Sequence, residues 1–197
     1  MESVLKQHDF DFIAIGCSAG GIEGLRFLLS EIPPQFSIPI GVVQHRSANS
    51  KGMMTRYFTE NCALKIIEPD DKEPIEAGCV YFAPANYHMM VGDDRAIHLS
   101  VDEPVYFSRP SIDVFFQSAA QVYKNRLLGA VLSGANVDGS AGLKDIKYWG
   151  GCTVVQDPKT ASHKTMPEAA LAGHTVDLVL DLVNIRQLIH SLVKKGA

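Results

Sequence analysis

Short apolar, β-rich runs alternate along this chain with segments of helical period, and that alternation narrows the fold more than any other feature. Candidate strands lie at 12–15, 38–43, 64–67, 80–83, 128–132, 153–156 and 176–180. Several are apolar without a break, as strands covered on both faces are. Between them, Ile22, Leu25, Leu28, Leu29 and Ile32 follow helical spacing. So do Ile112, Phe115, Phe116, Ala119 and Ala120, and the final set Ile185, Leu188, Ile189, Leu192 and Val193. Such alternation is the signature of a parallel sheet with crossover helices. Thr165 and Glu168 have capping-box spacing, with Pro167 in the first turn, so a helix is predicted to start there. Residues 89–91 and 96–99, joined by 92–95, read as a hairpin inserted into the α/β pattern. The longest stretch without a predicted element is 102–110. The expected fold is a single doubly wound α/β domain over residues 1–197. Its mostly parallel sheet has helices on both faces and an inserted β-hairpin.

A chain of 197 residues with 46% hydrophobic and 20% charged residues suits one compact core. The net charge of −4, without any Lys/Arg-rich run, argues against a nucleic-acid partner. No apolar run approaches the roughly 18 residues that span a bilayer, so no membrane insertion is expected. The start, MESVLKQHDFDFIAIG, lacks the basic end and unbroken apolar stretch of a signal peptide. Cys17, Cys62, Cys79 and Cys152 are widely spaced and form no C-x-x-C pair, which fits thiols in a reducing compartment. A cytoplasmic protein is expected, with no metal ligand set and no organic cofactor.

The segment Phe12-Ile-Ala-Ile-Gly16-Cys17-Ser18-Ala19-Gly20-Gly21 precedes a helical pattern and carries Gly-x-Ser-x-Gly, the spacing of a nucleophile elbow. Small residues beside a serine permit a tight strand-to-helix turn that lifts the hydroxyl to the carboxyl edge of the sheet. The helix behind it offers unpaired N–H groups that suit an oxyanion. Glycine-rich turns also hold phosphates, and the turn alone leaves esterase and anion cradle equally open. The spacing is not G-x-G-x-x-G, and the next strand ends in Gln44-His45-Arg46 without an acidic residue for a ribose, which counts against a dinucleotide. Arg46 could serve a 2′-phosphate, which keeps that minority reading open.

A serine nucleophile needs a base. Of seven histidines, His45 ends the second predicted strand, which places it at the same sheet edge as Ser18. His88 also follows a strand, but Pro84-Ala-Asn-Tyr makes its position harder to fix. Asp138 lies in a third strand–turn–helix segment, Leu128 to Gly142, where it could fix an imidazole tautomer or simply form a turn or helix cap. The chain order Ser–His–Asp differs from that of α/β-hydrolases.

Taken together and in this order, these motifs resemble the catalytic domain of bacterial chemotaxis protein-glutamate methylesterases, the CheB type. The family's pattern runs strand-G-A-S-(S/T)-G-G, then V-x-Q-H, then L-(S/T)-G-M-G-x-D-G-A-x-G-L. Here stand Gly16-Cys-Ser-Ala-Gly-Gly21, Val42-Val-Gln-His45 and Leu132-Ser-Gly-Ala-Asn-Val-Asp-Gly-Ser-Ala-Gly-Leu143. Val80 to His88 is similar to V-Y-(I/F)-A-P-x-x-x-H, and Arg109 to Phe116 to R-P-S-V-D-x-L-F. Gln156-Asp157 and Met166-Pro167 also have counterparts. The resemblance implies Ser18 as nucleophile, His45 as general base and Asp138 as orienting acid. It implies hydrolysis of glutamate γ-methyl esters on chemoreceptor helices in chemotaxis adaptation, and deamidation of receptor glutamines by the same acyl chemistry. Backbone N–H groups near Ala19 and Ala135 would hold the oxyanion.

Departures bear on the site. Ala19 replaces a hydroxyl residue, Ala135 a methionine, and Arg46-Ser47 a Met-Pro pair, which would add a charge at the rim. Cys17 replaces alanine beside the nucleophile and raises the question of which of the two attacks; alternation of side chains favours Ser18. The usual enzyme carries an N-terminal receiver domain, yet 17 residues precede Ser18. Control by phosphorylation in cis is therefore not expected; the chain is a fragment, or is regulated by a separate protein, or is unregulated. The alternative reading is a non-catalytic regulatory module on this fold that binds an anion or a partner protein.

Overall fold

The computed structural model describes residues 8–46, 52–172 and 175–193. All seven predicted strands are present in one parallel sheet: β1 (Phe12–Cys17), β2 (Ile40–Gln44), β3 (Lys65–Ile67), β5 (Cys79–Phe82), β8 (Leu127–Val131), β9 (Cys152–Gln156) and β10 (Leu178–Leu180). Their spatial order is β10-β9-β8-β1-β2-β5-β3. From β1 the chain winds outward through β2, then returns to β8 on the other side of β1 and winds the opposite way. The reversal beside β1 is the switch point at which doubly wound sheets open a crevice at their carboxyl ends.

The helices are α1 (Gly21–Leu29), α2 (Met53–Thr59), α3 (Ile112–Tyr123), α4 (Ser140–Tyr148), α5 (Thr165–Leu171) and α6 (Leu182–Ser191). Two apolar layers sandwich the sheet. One holds Leu25, Leu28 and Leu29 of α1, Phe58 of α2 and Ile185, Leu188 and Ile189 of α6. The other holds Phe115, Phe116, Ala119 and Ala120 of α3, Leu143 and Ile146 of α4 and Met166 of α5. β1 feeds both in strict alternation: Ile13, Ile15 and Cys17 enter the first, Phe12 and Ala14 the second. Full burial of each such Ile, Leu or Phe side chain contributes roughly 1.5–3 kcal/mol, so β1 is held from both faces.

The predicted hairpin exists as β6 (His88–Val91) and β7 (Ala96–Ser100), and β4 (Glu73–Pro74) joins it in a three-stranded antiparallel sheet of order β4-β7-β6. Met89, Val91 and Ile97 pack it onto the α3 layer. The start of α5 differs from the capping-box expectation. The helix begins at Thr165, but its N-cap is Lys164 in a helical conformation, and no side chain caps it. The short α2 is absent from the predicted helical patterns, since seven residues do not complete two turns of periodicity.

Candidate active site

Three chain segments leave the sheet side by side. β1 pairs with β2 up to Cys17–Gln44, and His45 N–H extends the ladder by donating to Cys17 O at 3.1 Å. On the other side Leu132 N–H donates to Gly16 O at 2.9 Å, and Ser18 N–H to Ser133 O at 2.9 Å. The backbone at Ser18 is thus clamped between the exits of β2 and β8. Ser133 strengthens the clamp: its Oγ donates to Ala19 O at 2.9 Å and its N–H donates to Gln156 Oε1 at 2.9 Å.

The turn itself depends on Gly20, whose φ of +72° lies in the left-handed region. A Cβ there would sit 2.7 Å from Ser162 Cβ. Ser18 emerges half-buried, and its Oγ has no hydrogen-bond partner among the described residues. Cys17 is different. Its side chain points into the α1 layer, fully buried, and desolvation pushes its thiol far above the ordinary range. A thiol so protected is a poor nucleophile, and alternation along β1 turns it away from the edge where Ser18 emerges.

Asp138 is held by more donors than any other group at this edge. It is fully buried in the β8–α4 turn. His45 Nε2 donates to its Oδ2 at 2.8 Å, and Ile112 N–H to the same oxygen at 2.7 Å. Its Oδ1 accepts from Asp113 N–H at 2.9 Å, Ser111 Oγ at 3.0 Å and Gly139 N–H at 3.0 Å. The carboxylate therefore sits on the N-terminus of α3, where Ser111 is the N-cap and the free N–H groups favour a negative charge. Burial alone would raise its pKa, but the His45 bond and the N–H donors of Asp113 and Ile112 outweigh that and hold it below the usual carboxylate range. Asp138 is not the helix cap that its position beside Gly139 allowed; Gly139, at φ +96°, caps α4 itself.

The other ring nitrogen of His45 faces Asn136. Asn136 Nδ2 donates to His45 Nδ1 at 3.2 Å, while Asn136 Oδ1 accepts from Asp138 N–H at 3.1 Å. That second bond fixes which end of the amide is oxygen. Nδ1 is therefore the unprotonated nitrogen and Nε2 carries the hydrogen given to Asp138. The arrangement is the reverse of the common serine-protease orientation, in which Nδ1–H faces the carboxylate.

Several expectations change around this core. Arg46 lines the cavity beside His45 but brings no free charge to it. Its side chain, 5% exposed, donates to Glu68 Oε1 at 2.8 Å and Ala83 O at 2.7 Å, so its charge is paired with the Glu68 carboxylate. Ser47 and His174 lie outside the described residues. His88 is buried, accepting from Ser111 N–H at 3.1 Å and facing Glu103 O at 3.1 Å, so it supports the loop that carries the α3 cap. The N–H groups of Ala19 and Ala135 donate to no acceptor among the described residues, whereas Ser18 N–H is already committed to Ser133. A cavity of about 220 Å³ opens beside His45, walled by Pro104, Phe107, Arg109 and Pro110, with Phe107 fully exposed at its mouth.

Sequence reasoning gave no role to Ser111, Asp113 or Asn136. The first two lie in the recognised Arg109–Phe116 motif, where a serine before an apolar-periodic run is a cap signal. Asp113 is buried behind Asp138, and its Oδ1 accepts from Gly142 N–H at 2.6 Å. Burial, with the Asp138 charge beside it, pushes Asp113 up to about 6 against the pull of the Gly142 and Gly139 N–H groups. Asn136 stands where the CheB-type motif has glycine, but the sequence gives that departure no meaning, because its partner stands 91 positions away.

A CheB methylesterase family profile matches residues 13–189. The chain belongs to the CheB methylesterase family. A Clostridium acetobutylicum relative, named protein-glutamate methylesterase/protein-glutamine glutaminase, is 32% identical over 190 residues, 96% of this chain and 55% of that protein. A Leptospira interrogans relative, provisionally given the same name, is 47% identical over 180 residues, 91% of this chain and 93% of its own length. The crystal structure of the Thermotoga maritima CheB methylesterase catalytic domain superimposes with a TM-score of 0.88 at 26% identity, covering 93% of this chain and 98% of that one. The family fold is thus shared over nearly the whole chain. The Leptospira relative has this length, whereas the chain spans about half of the Clostridium one.

Proposed function

We propose that residues 1–197 act as one catalytic domain in which Ser18, His45 and Asp138 hydrolyse glutamate γ-methyl esters on chemoreceptor helices. The observation that carries this reading is the pairing of His45 with a fully buried Asp138 at the edge where Ser18 Oγ is unpaired and half-exposed. Membership of the CheB methylesterase family supports the substrate class.

Ser18 Oγ attacks the ester carbonyl carbon while its proton passes to His45 Nδ1. The imidazolium that forms is stabilised by Asp138 across the Nε2 bond. The carbonyl oxygen, now negative, is received by the N–H groups of Ala19 and Ala135, each worth about 3 kcal/mol of barrier. Collapse of the tetrahedral intermediate breaks the ester C–O bond, and His45 returns the proton to the departing methanol. Water then attacks the acyl-enzyme with His45 as base, which frees the glutamate carboxylate and restores Ser18. With a glutamine side chain the same steps release ammonia.

No helix among the described residues is long and apolar enough to cross a membrane. A separate regulatory protein acting on this domain belongs to the same proposal. The test is labelling with a fluorophosphonate probe, with methyl release from methylated receptor as the activity readout. Ser18→Ala should lose both. Retention of methyl release in Ser18→Ala would overturn the reading, and absence of both labelling and release in the native protein would favour a non-catalytic binding module.

A further inference from the structure

We propose that Asn136 is a positioning residue that holds the His45 base in its working tautomer and, at rest, occupies the lone pair that Ser18 must use. This rests on the assignment of His45 as the base of Ser18.

The amide is held at both ends. Oδ1 accepts from Asp138 N–H at 3.1 Å, and Nδ2 donates to His45 Nδ1 at 3.2 Å. An amide N–H aimed at Nδ1 is compatible only with an unprotonated nitrogen there, so the hydrogen sits on Nε2, where Asp138 Oδ2 accepts it at 2.8 Å. Asn136 and Asp138 thus read the same tautomer from opposite edges of the ring. Nδ1 has one in-plane lone pair. Asn136 uses it, and Ser18 Oγ is left without a partner among the described residues. Proton transfer from Ser18 therefore requires the Asn136 amide to withdraw from Nδ1.

Asn136 is placed to do so. It is half-buried, between the exposed Ala135 and Val137, in the turn that precedes the Gly139 cap. A substrate entering between Ser18 and Ala135 would meet this turn directly. The CheB-type motif has glycine where this chain has Asn136, so the amide is an addition to a turn that closes without it.

Two substitutions separate the donor from the scaffold. Asn136→Ala removes the competing N–H. Asn136→Asp keeps the oxygen that accepts from Asp138 N–H, which supports the turn, but replaces the donor facing Nδ1 with an acceptor. The rate of fluorophosphonate labelling at pH 7.5 should rise about fivefold in Asn136→Ala, the factor for one ordinary neutral hydrogen bond. It should fall about tenfold or more in Asn136→Asp, because a carboxylate there draws a proton onto Nδ1. Ring ¹⁵N shifts of His45, measured in a Ser18→Ala background, should report unprotonated Nδ1 and protonated Nε2. In Asn136→Ala the Nδ1 signal should move toward that of a free unprotonated nitrogen, and in Asn136→Asp toward a protonated one.

Equal losses of labelling in both variants with unchanged ring shifts would reduce Asn136 to a turn-former and overturn the proposal. A protonated Nδ1 in the native ring would also overturn it. Persistence of labelling in Ser18→Ala would instead defeat the Ser18 assignment, while the ring shifts would still report on Asn136.

Discussion

The β1–α1 and β8–α4 turns use the same backbone device and treat their functional residue in opposite ways. Each leaves a buried parallel strand, passes through a polar turn and enters a helix at a left-handed glycine, Gly20 at φ +72° and Gly139 at φ +96°. At the first turn the backbone is clamped while the Ser18 hydroxyl is left unpaired and half-exposed. At the second the Asp138 carboxylate itself is gripped by His45, Ser111 and three backbone N–H groups and shut from water. A nucleophile must move toward a substrate, so its scaffold is rigid and its side chain free. An orienting carboxylate must not move, so its own oxygens are saturated. The contrast fits the proposed roles of Ser18 as nucleophile and Asp138 as orienting carboxylate.

Breaking each turn in its own way should separate the two. Ser18→Ala removes the free group and leaves every recorded bond of the clamp, so methyl release should fall by about 10⁴-fold or more while the melting temperature stays within a few degrees. Asp138→Asn keeps the shape but presents an amide N–H₂ to a shell of donors. Methyl release should fall by about 10³–10⁴-fold through loss of the correct tautomer. Thermal unfolding should show a loss of several kcal/mol, since buried donors lose their acceptor. A melting temperature unchanged in Asp138→Asn would break the comparison.

Ser111→Ala tests whether the grip is transmitted from α3. It removes the α3 cap and one donor to Asp138. Stability should drop by about 1–2 kcal/mol in denaturant titration, and activity by about tenfold.

Asp113 sharpens the electrostatic side. The folded protein holds its proton more tightly than the unfolded chain does, with the folded value at about 6. Its stabilising contribution is therefore complete below the unfolded carboxyl range, near 4, and is lost as pH rises through about 6. Asp113→Asn removes that loss. Its melting temperature relative to the native protein should rise between pH 4 and pH 7 and level off above. A difference that is flat across that window would remove Asp113 from the account.

The smallest effect belongs to Cys17. Cys17→Ala should leave methyl release within about twofold, and iodoacetamide should not inactivate the native protein, since the thiol is buried under α1.

The strand–helix alternation, all seven strands of the sheet and the inserted hairpin were legible in the residue pattern, because apolar period and turn chemistry are local. So was the convergence of Ser18, His45 and Asp138 on one edge: parallel strands align their carboxyl ends, and each residue follows directly on a strand or lies in the turn behind one. Side-chain partnership was not legible. Whether Arg46 carries free charge depends on Glu68, 22 positions on, and which nitrogen of His45 is basic depends on Asn136 and Asp138, 91 and 93 positions away. The placing of Cys17 lay between these extremes: alternation along β1 suggested an inward side chain, and packing under α1 shows it buried. Spacing along a chain sets which edge a residue reaches. Hydrogen-bond saturation, burial and tautomer are properties of what packs across that edge, and only the tertiary structure brings those groups together.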